Sequence, residues 1–340
     1  MTKPKVAFYW CASCGGCEEA VVDLGEHLLE VVGLVDIAFW PVALDFKRSH
    51  VESLEDGELA VSFINGAVRS SEQEEMAALL RRKSRLVIAF GTCAHLGGVP
   101  GLANTTDRAG ILERAFRTAP TVVNEEGILP STAFEVDAGG KNAATLRLPE
   151  LFDEVLPLDR VIQVDYYLPG CAPPPDLVQA AVKAVLEGGL PERGSVLAPD
   201  KSLCSTCPRR DSKPDKLSLS RLHRVAEITP SRELCFLEQG LVCLGPATRT
   251  GCGERCIAAN MTCRGCFGPT SGVRDQGGRF LSGLAALFET ESEDEAAAVA
   301  RDLIDPVGVL YMYGLPSSAL RRVRKAQPRA RAPRARAKER

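Results

Sequence analysis

The stretch 5-KVAFYWCASCGGCEE-19 decides how the rest of the chain is read. Its first six residues, apolar after Lys5, form a run of strand length, the pattern of a strand buried on both faces. Cysteines follow at positions 11, 14 and 17, and 18–34 then carries apolar residues at helical spacing. The unit is strand, cysteine loop, helix. Working outward, strands are expected over 35–42 (VDIAFWPV), 59–64 (LAVSFI), 85–90 and 161–168, and helices over 72–83 (EQEEMAALLRRK) and 176–187 (DLVQAAVKAVLE). This alternation predicts an α/β fold, a parallel sheet with helices on both faces. Ligands of such sheets gather at the C-terminal strand ends. All five cysteines of this half, Cys11, Cys14, Cys17, Cys93 and Cys171, fall at those ends.

The 340 residues leave room for about two or three domains. With 45% hydrophobic and 25% charged residues, the composition suits a chain that buries a sizeable core, and no apolar run approaches the roughly 20 residues of a membrane span. The opening MTKPKVAFYW has no secretory pattern, so a cytoplasmic protein is expected. Net charge is -3, but residues 321–340 carry +9, which leaves the body at -12. Thirteen cysteines without an export signal argue for metal ligation rather than a disulfide framework.

From about 191 the character changes. Gly, Pro and Cys dominate, eight cysteines fall within 204–266, and little apolar material is left for a core, so inorganic cross-links are expected to hold the region together. A last helical stretch is expected over about 278–304. The organisation predicted is 1–195 for the sheet domain, 196–285 for a Cys-rich domain, 286–320 for a helical segment and 321–340 for a basic disordered tail. Three Cys-x-x-Cys pairs, Cys14/Cys17, Cys204/Cys207 and Cys263/Cys266, each supply two thiolates from one turn, a geometry used by zinc and by iron–sulfur clusters alike. Two features favour clusters. Prolines flank Cys171 in 168-LPGCAPPP, and glycines crowd the cysteines of 235–268, where backbone N–H groups can approach inorganic sulfide.

The motifs 14-CGGCE, 91-GTCAHLGG and 169-PGCAPP resemble the proximal-cluster motifs in the small subunit of nickel–iron hydrogenases. The stretch 232-RELCFLEQGLVCLGPATRTGCGERCIAANMTCRGCFGP-269, with 275-DQG after it, resembles the gamma subunit of the cytoplasmic F420-reducing and F420-non-reducing (viologen-reducing) hydrogenases. The resemblance implies a flavodoxin-like domain followed by an irregular ferredoxin-like iron–sulfur domain. It implies three [4Fe-4S] clusters: a proximal one on Cys14, Cys17, Cys93 and Cys171, a medial one on Cys252, Cys256, Cys263 and Cys266, and a distal one on Cys204, Cys207, Cys235 and Cys243. It further implies that Glu18 relays protons near the contact with a large subunit. The bland reading of Glu18 is an acidic residue that stabilises the first turn of helix 18–34.

Spacing alone would make Cys11, Cys14 and Cys17 ligands of one cluster. The resemblance assigns Cys14 and Cys17, and Cys11 is then a buried strand-end thiol. His95 is either a donor to a sulfide or a solvated loop histidine, and His27, His50 and His223 are expected at the surface. No Gly-x-Gly-x-x-Gly follows the first strand, so flavin, nicotinamide or F420 chemistry is expected in partner subunits. The resemblance assigns all three Cys-x-x-Cys pairs to clusters and implies that the nickel site is in a large-subunit partner. The function expected is electron transfer from that subunit to a further electron-accepting subunit carrying flavin or iron–sulfur groups. A complex I-like subunit, or another non-hydrogenase iron–sulfur electron-transfer subunit, is the nearest alternative, although complex I has adjacent cysteines where Cys14-x-x-Cys17 stands and lacks the eight-cysteine region. A zinc-stapled nucleic-acid-binding protein is the alternative of another class, raised by the basic tail and opposed by the acidic body. No nucleic-acid partner and no membrane span are expected.

Overall fold

The computed structural model describes residues 3–136 and 144–322. Five parallel strands form the central sheet in the spatial order Asp36–Phe39, Lys5–Trp10, Leu59–Asn65, Ser84–Phe90 and Tyr166–Leu168. With its strands numbered along the chain this is the order 2-1-3-4-5 of the flavodoxin-like fold. Trp10 lies opposite Asn65, Asn65 opposite Phe90, and Phe90 opposite Leu168. Four strands therefore end level, and the loops that follow them leave from one edge.

Alternation along each strand fills both faces. Val6, Phe8, Val61, Phe63, Ile88 and Phe90 face one side and pack with Val178, Ala181 and Val182 of helix Pro175–Glu187. Ala7, Ile64, Val87 and Ala89 face the other and pack with Met76, Leu79 and Leu80 of helix Ser71–Lys83. Fully burying one large apolar side chain contributes about 1.5–3 kcal/mol. Helix Ser71–Lys83 starts on a capping box: Ser70 Oγ accepts from Gln73 N, and Gln73 Oε1 accepts from Ser70 N.

Several elements differ from the sequence expectation. The single helix over 18–34 is two helices, Gly16–Val22 and His27–Leu34. Gly25, at φ 58°, adopts the left-handed conformation between them, and the second helix buries no residue. The strand over 161–168 shrinks to Tyr166–Leu168, because Asp165 turns inward to accept from Val87 N and to pair with Arg81 and Arg193. The stretch 278–304 divides into Gln276–Ala285 and Glu293–Asp302, the latter capped by Ser292 and carrying Glu293, Asp294 and Glu295 in its first turn. The excursion between the last two sheet strands was not foreseen. It holds helix Arg108–Glu113, the hairpin pair Ala133–Val136 and Ala144–Arg147, and strand Leu151–Leu156, which runs antiparallel to Val68–Ser70.

The region after 191 is not short of apolar material. Leu203, Leu222, Phe236, Leu241, Leu244, Ile257, Phe280 and Leu284 form a third core with Leu310, Tyr311 and Leu315, and Cys243 and Cys263 are buried inside it. Thiols and apolar side chains together hold this part, so the expectation of a core too small to matter is not met. Within the tail expected over 321–340, Asn104 Nδ2 donates to Arg321 O and Arg322 pairs with Glu154; residues 323–340 lie outside the described residues. No helix among the described residues is long and apolar enough to cross a membrane.

Candidate metal centres

The first group of thiols forms where three strands end. Cys14 and Cys17 come from the loop and first helical turn after Lys5–Trp10, Cys93 from helix Thr92–Leu96, and Cys171 from the loop after Tyr166–Leu168. Gly91 N donates to Leu168 O at 2.8 Å and Thr92 N to Gly170 O at 2.9 Å, which ties the last two of these loops together. Gly91 has φ 83°, and a Cβ there would fall inside the van der Waals surface of the Cys17 sulfur. Only glycine lets this strand end pass so close to the thiol. Burial pushes the Cys17 thiol up, and Cys93, Cys171 and Cys14 push the same way. Cys93 is pushed up to about 12 by burial, with Cys171 and Cys14 adding to it. These four side chains are electrostatic neighbours.

The remaining eight cysteines also have thiols as neighbours, and two of them have their first thiol neighbour in another expected group, Cys266 in Cys171 and Cys263 in Cys243. Cys204 is pushed up to about 12 by burial and then by Cys243, Cys235 and Cys207. Those four line one cavity with Leu203, Phe236, Leu237 and Ile257. Cys266 is pushed up to about 12 by burial, then by Cys171, Cys256 and Cys252, while Cys263 is raised by burial and then by Cys243 and Cys266. The third group therefore lies between the other two. Two contacts mark the junctions: the backbone N–H of Cys171 faces the Cys266 sulfur and lowers its pKa, and Cys263 N donates to Cys243 Sγ at 3.4 Å. Thr92 Oγ1 adds a hydrogen bond of 2.5 Å to Cys266 O across the first junction.

Buried thiols that resist ionisation one beside another need a cationic partner to deprotonate together. Among the described residues no three of His, Cys, Asp or Glu sit at the spacing of a single metal ion. Sulfur-only donor sets, glycine-thinned backbone and amide donors aimed at sulfur suit a multi-iron core.

Glu18 is only 4% exposed. Its carboxylate accepts from Trp40 Nε1 and, at 2.5 Å, from Asn65 Nδ2. Asn65 is fixed in turn by Ser13 Oγ, which donates to its Oδ1, and by Tyr9 O, which accepts from its Nδ2. Burial raises the Glu18 pKa and the two hydrogen bonds oppose the rise. Glu18 does lie in the first turn of helix Gly16–Val22, and it is buried there. Cys11 packs with Ala7, Ile64 and Ala89, on the sheet face opposite Cys17, and donates its N–H to Asn65 O. Of the two readings of His95, the solvated one fails. The ring lies 4.6 Å from that of Tyr167, its Nδ1 is buried without a partner among the described residues, and burial, with Arg249, pushes its pKa down to about 3. Sequence reasoning missed Trp40, Asn65, Arg209 and Tyr313. Arg209 is buried, lies 4.0 Å over the ring of Phe236 and donates to Ser231 O and Leu234 O, anchoring the loop that carries Cys235. Only the tertiary fold brings these residues to the thiols.

A flavodoxin-like sheet with thiols gathered on its C-terminal edge, continued by a Cys-rich unit, defines a class of redox-subunit architecture. Known proteins agree with it. Residues 14–185 match the family described as NADH ubiquinone oxidoreductase, 20 Kd subunit. The iron-sulfur subunit of the F420-non-reducing hydrogenase of Archaeoglobus profundus is 35% identical over 319 residues, covering 93% of this chain and 97% of that one. An F420-non-reducing hydrogenase subunit of Methanothermobacter thermautotrophicus is 36% identical over 321 residues, with 94% and 96% covered. In structure, a chain of the [NiFeSe] hydrogenase from Desulfovibrio vulgaris Hildenborough matches with a TM-score of 0.50 at 18% identity, over 85% of this chain and 99% of its own, a likeness of fold. The chain belongs to the hydrogenase small-subunit family, alongside these subunits of the F420-non-reducing hydrogenases, and is thus a subunit of an oxidoreductase. The relatives carry the F420-non-reducing name, and the F420-reducing half of the expectation finds no support among them.

Proposed function

We propose that this chain is the electron-transfer subunit of a nickel–iron hydrogenase of the cytoplasm, carrying electrons from a large subunit that holds the nickel site to a further electron-accepting subunit. Cys14, Cys17, Cys93 and Cys171 would hold a proximal [4Fe-4S] cluster, Cys252, Cys256, Cys263 and Cys266 a medial one, and Cys204, Cys207, Cys235 and Cys243 a distal one. When bound, these groups supply one-electron redox chemistry. The protein's part would be to keep twelve thiols in three groups, with Cys17, Cys93, Cys243 and Cys263 buried, and to aim amides at sulfur. The observation that supports the reading is the pair of junctions, Cys171 against Cys266 and Cys263 against Cys243, across which the three proposed groups would follow one another.

Glu18 is proposed as a proton relay. Its pKa is raised above that of an exposed glutamate, with burial as the cause, which makes the carboxyl easier to protonate. The division expected from the sequence, 1–195, 196–285 and 286–320, is kept as a proposal, with the qualification that Leu310, Tyr311 and Leu315 share the core of the Cys-rich part.

Metal analysis tests the reading directly. Protein purified anaerobically should hold about 12 iron atoms and a similar amount of acid-labile sulfide per chain, and should co-purify with a nickel-containing subunit when the two are expressed together. Stoichiometric zinc without sulfide would refute it.

A further inference from the structure

The hairpin in the excursion between the last two sheet strands has one apolar and one polar face, and both are exposed. Ala133–Val136 pairs antiparallel with Ala144–Arg147, so Phe134 lies opposite Leu146 and Glu135 opposite Thr145. Leu148 N donates to Thr132 O at 3.0 Å and extends the pairing, which places Leu148 on the same face as Leu146. On the other face Thr145 Oγ1 donates to Glu135 Oε1 at 2.8 Å. Phe134, Leu146 and Leu148 are 65, 56 and 60% exposed. A two-stranded hairpin is marginally stable alone in water, and large apolar side chains grouped on one bare face mark an interaction site. A cavity of about 760 Å³ opens at the root of the hairpin, lined by Leu112, Leu148, Pro149 and Leu151 and by the Arg108–Glu150 ion pair.

Hydrogen bonds trace this surface back to the first group of thiols. Ala12, two residues before Cys14, donates its N–H to Ala67 O at 2.8 Å, and Ala67 N donates to Ala12 O at 3.0 Å. Val68–Ser70 continues from there and pairs with Leu151–Leu156. Ser71 N then donates to Glu150 O at 3.0 Å, two residues from Leu148. The hairpin therefore leaves from the sheet edge on which Cys14 and Cys171 are exposed.

We propose that this hairpin is a docking arm for the large subunit that holds the nickel site: the face of Phe134, Leu146 and Leu148 is covered by an apolar surface of that subunit. This rests on the function proposed above. The occupant follows from continuity. A subunit that passes electrons to the first group of thiols approaches the edge where Cys14 and Cys171 are open, and the arm stands on that same edge.

The test uses the hydrogenase assembled by co-expression and purified as a complex. With p-benzoylphenylalanine in place of Phe134, irradiation should join this chain to the nickel-containing subunit. The same group in place of Glu135, on the opposite face, should give at least tenfold less of that product. Phe134→Ser combined with Leu146→Ser should lower the nickel that co-purifies with this chain about tenfold, the scale of losing an interface anchor, with most of this chain's iron retained. Phe134→Leu, which stays apolar, should keep the wild-type nickel content. A cross-link to a second copy of this chain or to the electron-accepting subunit would overturn the proposal, as would wild-type nickel content in the double variant. So would equal loss of nickel and iron, which would make the two residues part of this chain's own fold. A wild-type complex without a nickel-containing subunit would instead refute the function proposed above.

Discussion

Replacing Glu18 by Gln separates proton chemistry from structure. The exchange keeps the side-chain length, but Glu18 accepts from two N–H groups, Trp40 Nε1 and Asn65 Nδ2. An amide offers one acceptor oxygen, and its NH2 would meet the second donor head-on. One buried donor is left without an acceptor, at a cost of about 1–3 kcal/mol. That loss should appear in thermal unfolding of the anaerobic complex, with iron content unchanged. The pH dependence has a definite sign. Burial raises the folded-state pKa of Glu18 above the value of an exposed glutamate, so its contribution to stability is full below the unfolded-state pKa and is lost as pH rises through the folded one. The Gln variant lacks that loss, so the stability gap between the two proteins should narrow as pH rises through this window. If Glu18 moves protons, hydrogen-dependent dye reduction should fall by about 10²-fold or more, while an artificial donor reduces the metal sites normally. Turnover close to wild type, together with the stability loss, would refute the relay and leave Glu18 as the anchor between Trp40 and Asn65.

On the proposed three clusters, Gly91→Ala should remove about four iron atoms, those of the site nearest Cys17, because the added Cβ meets the Cys17 sulfur and φ 83° strains alanine; full iron content would refute the close-approach argument. Asp165→Asn should destabilise the protein by about 1–3 kcal/mol in denaturant or thermal unfolding, chiefly because the half-buried Arg81 loses the carboxylate it contacts at 2.6 Å, while Arg193 is exposed to solvent; iron content should not change. Removing residues 323–340 should leave iron content and dye reduction unchanged at moderate salt, where charge effects are screened. Removal from 311 should lower both, because Tyr313, Pro316 and Arg322 hold contacts with Gly98, Gly97 and Glu154.

The sheet could be read from the sequence because both of its faces are covered. KVAFYW, LAVSFI and RLVIAF are predominantly apolar runs, and each matches a central strand, Lys5–Trp10, Leu59–Asn65 and Ser84–Phe90, to within a residue at either end. The excursion over 106–157 could not be read in the same way. Its hairpin exposes Phe134 and Leu146 to solvent, so apolar and polar residues do not sort into an inside and an outside there. Helix 18–34 failed for a related reason. Its apolar spacing continues past Gly25, but after the break Leu28 and Val31 pack against the core only partly buried, while Leu29, Val32 and Leu34 stay exposed.

The thiol groups were partly legible, because a Cys-x-x-Cys turn is a local object and twelve cysteines divide by four. What holds the groups in order is not local. The Cys263 amide reaches back twenty residues to the Cys243 sulfur, Thr92 reaches Cys266 across 174, and the chain after Leu310 brings Tyr313 to Gly98. Each of these bonds uses a backbone N–H or C=O, and every residue type except proline supplies both groups equally. A backbone donor leaves no mark in the sequence, so the composition of the sites was readable where their spacing was not. Spacing is what an electron relay depends on, and in this chain it is held by contacts that only the folded molecule reveals.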